Sequence, residues 1–161
     1  MKQIAIVMGS KSDLPKLQPG LDILDSLGVE AEIRVMSAHR TPEEVKAFVE
    51  EAPKKGIKVF IAAAGMAAHL AGAIAAQTIL PVIGIPVKGG MLDGLDALLS
   101  TVQMPGGIPV ATVGLGSAGP KNAVLLAMQI LAISNDSIAQ KIKQFRREQA
   151  DNVREADASI Q

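Results

Sequence analysis

Apolar residues collect along the chain in five short runs, residues 3–8, 30–36, 58–63, 82–87 and 109–113, each long enough for one strand. The first, third, fourth and fifth are nearly continuous Val, Ile and Ala, the pattern of strands covered on both faces. Helix-like spacing fills the gaps. Leu14, Leu17, Leu21, Leu24 and Leu27 recur every three or four residues, and Val45, Phe48, Val49 and Ala52 form one stripe within 42–54. Segments 67–80 and 120–132 are apolar almost all round, which predicts buried helices. Pro19-Gly20 falls inside the first helical pattern and predicts a kink or a break there.

Strands alternating with helices imply a parallel sheet with right-handed crossovers. The predicted fold is a three-layer, flavodoxin-like α/β domain over residues 1–133 with strand order 2-1-3-4-5. Its ligands would sit beyond the carboxyl ends of the strands, where the loops after the first and third strands flank the switch point. Residues 134–161 read as an extra C-terminal helix capped by Ser134 or Asn135. Its apolar residues Ile138, Ile142, Phe145 and Val153 form a thin stripe among many charges. Such a helix either lies solvated on its own domain or packs on a neighbouring subunit. The second reading is preferred, because a sheet already covered by helices has little room for another.

Composition narrows the function classes. The 161 residues suffice for one domain with a sizeable core. Sixteen basic side chains balance sixteen acidic ones, so there is no basic field for nucleic acid or an anionic membrane. The chain has neither Trp nor Tyr to stack bases upon. Without Cys there is no disulfide, thiolate nucleophile or thiolate metal site, in keeping with a cytoplasmic protein. The chain opens on the strand-like Ile4-Ala5-Ile6-Val7-Met8 with no signal-peptide pattern. The apolar stretch 59–85 is broken by Gly, His, Gln, Thr and Pro, so no membrane span is expected. A small anionic ligand stays open, since a few local donors suffice for it.

Candidate chemistry lies in polar islands that follow strands and precede helices. Gly9-Ser10-Lys11-Ser12-Asp13 offers a flexible backbone, two hydroxyls and a helix start, a setting suited to phosphate, with Asp13 suited to sugar hydroxyls. Helix capping alone explains the same residues. In Ser37-Ala38-His39-Arg40, Arg40 could clamp a phosphate and His39 could move a proton. Thr41 as cap, Pro42 at the first position and Glu44 three after the cap make a strong helix start behind it; a plain solvated loop is the competing reading. Gly65 to Gly72 places His69 among small residues that permit close ligand approach, although a lone His there is commonly just a satisfied core residue. These two histidines are the only ones in the chain, and histidine is the side chain suited to proton transfer near neutrality. In a 2-1-3-4-5 sheet all three islands converge on one crevice. A fourth segment, Lys88-Gly89-Gly90-Met91-Leu92-Asp93-Gly94, is either a mobile cover or a turn into a helix capped by Asp93. The turn 102–109 could line a pocket or an interface. Two histidines on separate loops without a partnered carboxylate make a weak metal site, so no metal is expected.

Taken together and in order, Met-Gly-Ser-x-Ser-Asp, Ser-Ala-His-Arg-Thr-Pro, Ala-Ala-His-Leu and Val-Gln-Met-Pro-x-Gly-Ile-Pro-Val resemble the carboxyaminoimidazole ribonucleotide mutases of purine biosynthesis. This family is also described as the catalytic subunit of phosphoribosylaminoimidazole carboxylase. The resemblance covers nearly the whole chain and looks like the bacterial class that takes the N5-carboxylated nucleotide. It implies a cytoplasmic homo-octamer whose C-terminal helix reaches a neighbour. It also implies a functional link to the ATP-dependent synthase that makes the substrate, and no cofactor. Ser10, Ser12 and Asp13 would hold the ribose phosphate, helped by Ser37 and by Arg40 on the phosphate. His39 would transfer the proton, and His69 would line a CO2 pocket shaped by Gly65, Ala68 and Leu70. Met66 stands where family members commonly carry glycine, and Ala71 and Ala73 where Pro and Met are usual. Two other readings stay open: a carboxylase using free CO2, against which the third-loop histidine argues, and a non-catalytic nucleotide or flavin module, against which the lack of Trp and Tyr argues.

Overall fold

The computed structural model describes residues 2–160. Five parallel strands form one sheet: β1 (Ile4–Met8), β2 (Ala31–Val35), β3 (Val59–Gly65), β4 (Val82–Val87) and β5 (Ala111–Thr112). Their spatial order is β2-β1-β3-β4-β5. The helices are α1 (Leu14–Ser26), α2 (Pro42–Glu51), α3 (Leu70–Ala75), α4 (Leu95–Val102), α5 (Ala118–Ala132) and α6 (Asp136–Ala158). Helices cover both faces of the sheet, so the three-layer flavodoxin-like architecture expected from the alternation is the one observed.

Strand parity decides which side chains meet which layer. Ala5 and Val7 of β1 and Phe60 and Ala62 of β3 share a buried cluster with Val45, Phe48 and Val49 of α2 and Leu70 and Ile74 of α3. Phe48 meets Phe60 edge to face with ring centroids 6.2 Å apart, a favoured aromatic geometry. Arg34, on the exposed edge strand β2, lies 5.1 Å over the Phe48 ring and shields it from water. The alternate residues Ile4, Ile6, Met8 and Ile61 are buried on the opposite face. Gly84 of β4 leaves the room that the Thr101 methyl of α4 occupies.

Four expectations are corrected. Of the kink or break expected at Pro19-Gly20, the break does not occur: the helix runs through both residues. Proline there costs only the bond to the carbonyl of Pro15, an exposed residue of the first turn that water can reach. Second, the helix predicted over 67–80 shrinks to the six residues of α3. Residues 66–69 are taken up by the loop that precedes it, and Ile79 beyond it is fully exposed rather than buried. Third, β5 is a two-residue edge strand whose Ala111 is exposed, not a strand covered on both faces. It pairs only through Ile83↔Ala111 and Gly84↔Thr112, and Pro109 has no N–H to extend the ladder backwards. Fourth, α2 stops at Glu51, and Pro53 turns the chain into a short 3-10 segment ending at Gly56.

The chain divides into two compact units, one ending at Ala127 and one beginning at Met128. In the second unit α6 starts at Asn135, whose side chain accepts a hydrogen bond from the Ile138 N–H at 3.2 Å. Among the described residues no helix is long and apolar enough to cross a membrane.

At Gly20, α1 packs tightly against the start of α5. A Cβ there would lie 2.6 Å from the Pro120 carbonyl oxygen and 2.9 Å from its carbon. Backbone cannot swing aside as a side chain can. Gly20→Ala is therefore expected to destabilise by about 1–3 kcal/mol through overpacking, although alanine is the better helix former. Urea denaturation of the two proteins side by side checks this; equal or higher stability of the variant would mean that the two helices part without cost.

Candidate active site

Loops at the carboxyl ends of β1, β2, β3 and β4 line one cavity of about 670 Å³, a volume typical of small-ligand sites. Its position follows from topology, because β1 and β3 are neighbours whose connections leave to opposite sides. The Gly9 N–H donates to the Ala63 carbonyl at 3.1 Å and ties the first loop to β3.

In the first loop Ser10 and Ser12 join their hydroxyls at 2.8 Å, and Ser10 Oγ accepts from the Ser12 N–H at 3.3 Å. Ser10 thus caps the short turn Lys11–Asp13. Asp13 precedes α1 but its carboxylate caps nothing, so capping does not account for it. Only 8% exposed, the carboxyl is pushed above the usual carboxylate range by burial, and the attraction of Lys16 pulls the other way. Lys16 Nζ lies 3.8 Å from it and donates to the Lys88 carbonyl at 2.8 Å.

The second loop is fixed from within. Thr41 Oγ1 accepts from the Ser37 N–H at 2.9 Å and lies 3.1 Å from the Ser37 carbonyl, to which it donates. Thr41 occupies the cap position of α2 with Pro42 following, as expected, but its hydroxyl makes no cap bond. The expected capping box is absent because that hydroxyl is spent closing the loop. Ser37 Oγ accepts from the Arg40 N–H at 3.1 Å, and one terminal guanidinium nitrogen donates to the Gly9 carbonyl at 3.2 Å. Arg40 is thereby aimed across the first loop while most of its five N–H donors stay available.

The third loop leaves β3 at Gly65. Met66 adopts a left-handed backbone, φ 53°, a conformation that costs a non-glycine residue about 1–2 kcal/mol. The buried Ala68 N–H donates to Ser100 Oγ of α4 at 2.9 Å. His69 follows at the N-cap position of α3. Its Nδ1 lies 2.8 Å from Nε2 of His39, with the rings nearly perpendicular. One of these nitrogens carries the shared proton; His39 Nδ1 and His69 Nε2 lie outside the bond, and the choice of donor fixes which of those two is protonated when both rings are neutral.

The fourth loop folds differently from its expected turn. Asp93 does not cap α4; it pairs with Lys88 at 2.8 Å, and Gly94, with φ 95°, stands at the cap position. A Cβ on Gly94 would press on Leu115 and on the Lys88 backbone. Lys88, Gly89 and Gly90 line the cavity.

Ser10, Ser12, Asp13, Ser37, His39, Arg40, Gly65, His69 and Leu70 all border this cavity. Ala68 does not; it is 1% exposed and contributes a backbone bond. Two residues escaped the sequence reading. Lys16 had a signal, since it sits three residues past Asp13 at the start of a helix. Ser100 had none, because a serine in an amphipathic helix looks like any solvent-facing one. The 102–109 turn lines no part of the cavity; its Met104 packs at Gly72 of α3. Among the described residues no three His, Cys, Asp or Glu side chains cluster where they could hold a metal ion. Hydroxyls, one guanidinium and a buried carboxyl beside a coupled imidazole pair suit an anionic, hydroxylated ligand that gains or loses a proton.

Asp13 makes this arrangement costly to the fold. Its carboxyl holds a proton to higher pH in the native state than in the unfolded chain, so the native state binds more protons in that window. Stability therefore falls as pH rises through it, and the full penalty is present at neutral pH. Asp13→Asn is expected to raise the melting temperature at pH 7 by a few degrees, with the gain shrinking as pH is lowered towards 4. Thermal unfolding of both proteins across that range checks this; a variant less stable at pH 7, or a pH-independent difference, would contradict it.

Comparison with known proteins gives a consistent result. Residues 3–152 match the family model described as AIR carboxylase. The N5-carboxyaminoimidazole ribonucleotide mutase of Haemophilus influenzae is 54% identical over 151 residues, 94% of this chain and 92% of that one. The Escherichia coli protein of the same name is 49% identical over 153 residues, 95% and 90% of the two chains. A crystal structure of Treponema denticola PurE, 31% identical, superposes with a TM-score of 0.88 over 98% of each chain. Fold, matched length and identity agree, and the chain belongs to the AIR carboxylase family.

Proposed function

We propose that this chain is an isomerase of purine biosynthesis that converts N5-carboxyaminoimidazole ribonucleotide into 4-carboxy-5-aminoimidazole ribonucleotide. The observation that carries the reading is the His39–His69 hydrogen bond of 2.8 Å inside a hydroxyl- and arginine-lined cavity, in a chain about half identical to proteins named for that reaction.

The chemistry balances without a co-reactant. Breaking the N–CO2 bond releases CO2 and places one proton on the exocyclic nitrogen. Carbon 4 of the resulting aminoimidazole then attacks the trapped CO2, and the adduct loses its carbon 4 proton to restore aromaticity. One proton is delivered and one recovered, so a single imidazole can serve both steps, and His39 is that group. His69 orients it and borders the CO2 pocket, which Gly65 and Leu70 shape, while Ala68 holds the loop behind it through its backbone bond to Ser100. Ser10, Ser12 and Arg40 hold the phosphate, with Ser37 aligning Arg40 and Asp13 taking ribose hydroxyls. Confinement keeps CO2 at the attacking carbon, a positioning effect.

The assay mixes purified protein with the N5-carboxylated nucleotide, without ATP or bicarbonate, and follows the 4-carboxy product by ultraviolet absorbance. Rapid conversion with little free aminoimidazole ribonucleotide is expected. Activity only with aminoimidazole ribonucleotide and high bicarbonate would move the chain to the CO2-using reaction. His39→Asn should lower kcat by about 10²- to 10⁴-fold while nucleotide binding persists; full turnover in that variant would sink the assignment.

Assembly belongs to the same reading. Leu95, Leu99 and Val102 present an exposed apolar stripe on α4, continued by Met91 and Leu92 before it, a pattern that marks an interface. The chain forms a homo-octamer in the cytoplasm, α6 packs on a neighbouring subunit, and the ATP-dependent synthase supplies its substrate. Sedimentation should give eight times the 16.7 kDa chain mass, and Leu99→Glu should shift it to smaller species; a monomeric parent protein would refute the assembly.

A further inference from the structure

We infer that Ser100 is a positioning residue that sets the histidine pair through the backbone of the third loop. Ser100 lies in α4, outside the cavity lining. Its hydroxyl donates to the Asp96 carbonyl at 2.7 Å, the ordinary bond of a helical serine one turn back. That commits its proton and turns its lone pairs outward from the helix. One of them receives the Ala68 N–H at 2.9 Å, and the Met66 carbonyl lies 3.3 Å away. With its proton on Asp96, the hydroxyl holds the tight loop in which Met66 is left-handed through the Ala68 N–H, and the Met66 carbonyl is a near neighbour rather than a second bond.

The geometry downstream leaves little slack. Ala68 is buried and its N–H has no water to turn to. His69 is the next residue and starts α3, whose Leu70, Ala71 and Ile74 are anchored in the core. The only slack between the anchored helix and β3 is the loop that Ser100 holds. On the other side of the pair, Thr41 closes the His39 loop on Ser37 in the same manner. Each histidine thus stands on a loop closed by hydroxyl-to-backbone bonds, Thr41 and Ser37 on the His39 side and Ser100 on the His69 side, and the 2.8 Å bond between the rings is made between these two held loops.

For its catalytic consequence this inference rests on the mutase reading, whereas its structural consequence does not. Ser100→Ala removes the acceptor, and Ser100→Cys keeps the bulk but offers only a weak acceptor. Since the chain has only two histidines, a long-range 15N spectrum shows just two imidazoles. The parent protein should give one fixed tautomer for each ring, and Ser100→Ala should give averaged tautomers with the shared bond lost. Its kcat should fall at least tenfold with KM within threefold, and more free aminoimidazole ribonucleotide should escape. If Ser100→Ala does not fold, Ser100→Cys carries the same expectation. Unchanged imidazole spectra in the folded variant, or kcat and KM moving together, would overturn the inference. A parent protein inactive on the nucleotide would instead overturn the mutase reading, and the spectra, which need no substrate, would still decide the role of Ser100.

Discussion

The pairing of β1 with β3 is the constraint on which the site depends. Ile4 to Met8 run in register with Val59 to Ala63, and β2 is added on the far side of β1. Because successive strands in the chain lie on opposite sides of β1, their loops diverge and leave a crevice that no side chain of the sheet fills. The small residues at the end of β3, Ala64 and Gly65, border it and keep it open. Larger side chains there would close the space that the hydroxyls and imidazoles border.

Within that crevice, loop shape is held mainly by hydrogen bonds to backbone groups rather than by pairs of opposite charges. Thr41 on Ser37, Ser100 on Ala68 and Gly9 on Ala63 are all short and directional. Ion pairs such as Lys88–Asp93, with both partners substantially exposed, are screened and contribute little. The division has a chemical logic. An acidic partner for Arg40 would compete with an anionic ligand or repel it, whereas a bond to a backbone carbonyl leaves the positive charge of Arg40 unneutralised.

The sequence was most legible where one physical rule dominated. Continuous Val and Ile runs located β1 and β4 within a residue, and the alternation with helical stripes sufficed for strand order. The three islands met at one place because topology leaves them no alternative. Legibility failed where two rules competed. At Pro19, helix breaking lost to an accessible first-turn carbonyl and to the packing of α1 on Pro120. At Thr41 a strong cap signal lost to loop closure, because one hydroxyl cannot serve both. In segment 67–80, apolar composition could not reveal that its first residues form a loop. Ser100 was invisible because its partner lies 32 residues away in sequence, beyond the reach of any local pattern.

These cases share a feature that bears on function. Met66 in a left-handed backbone, Asp13 buried with its carboxyl harder to ionise, and Ala68 dependent on a distant hydroxyl are each locally unfavourable. All three lie within the loops that meet at the crevice, while β1 and β3 beneath are buried along the sheet as their apolar runs predict. A fold tolerates such local costs only where the surrounding structure over-determines the conformation. Here the buried cluster under α2 and α3 supplies that determination. The rigidity of the apolar layer is what allows two exposed histidines on separate loops to be held 2.8 Å apart, and a looser core under the same loops would leave them as two independent, solvated imidazoles.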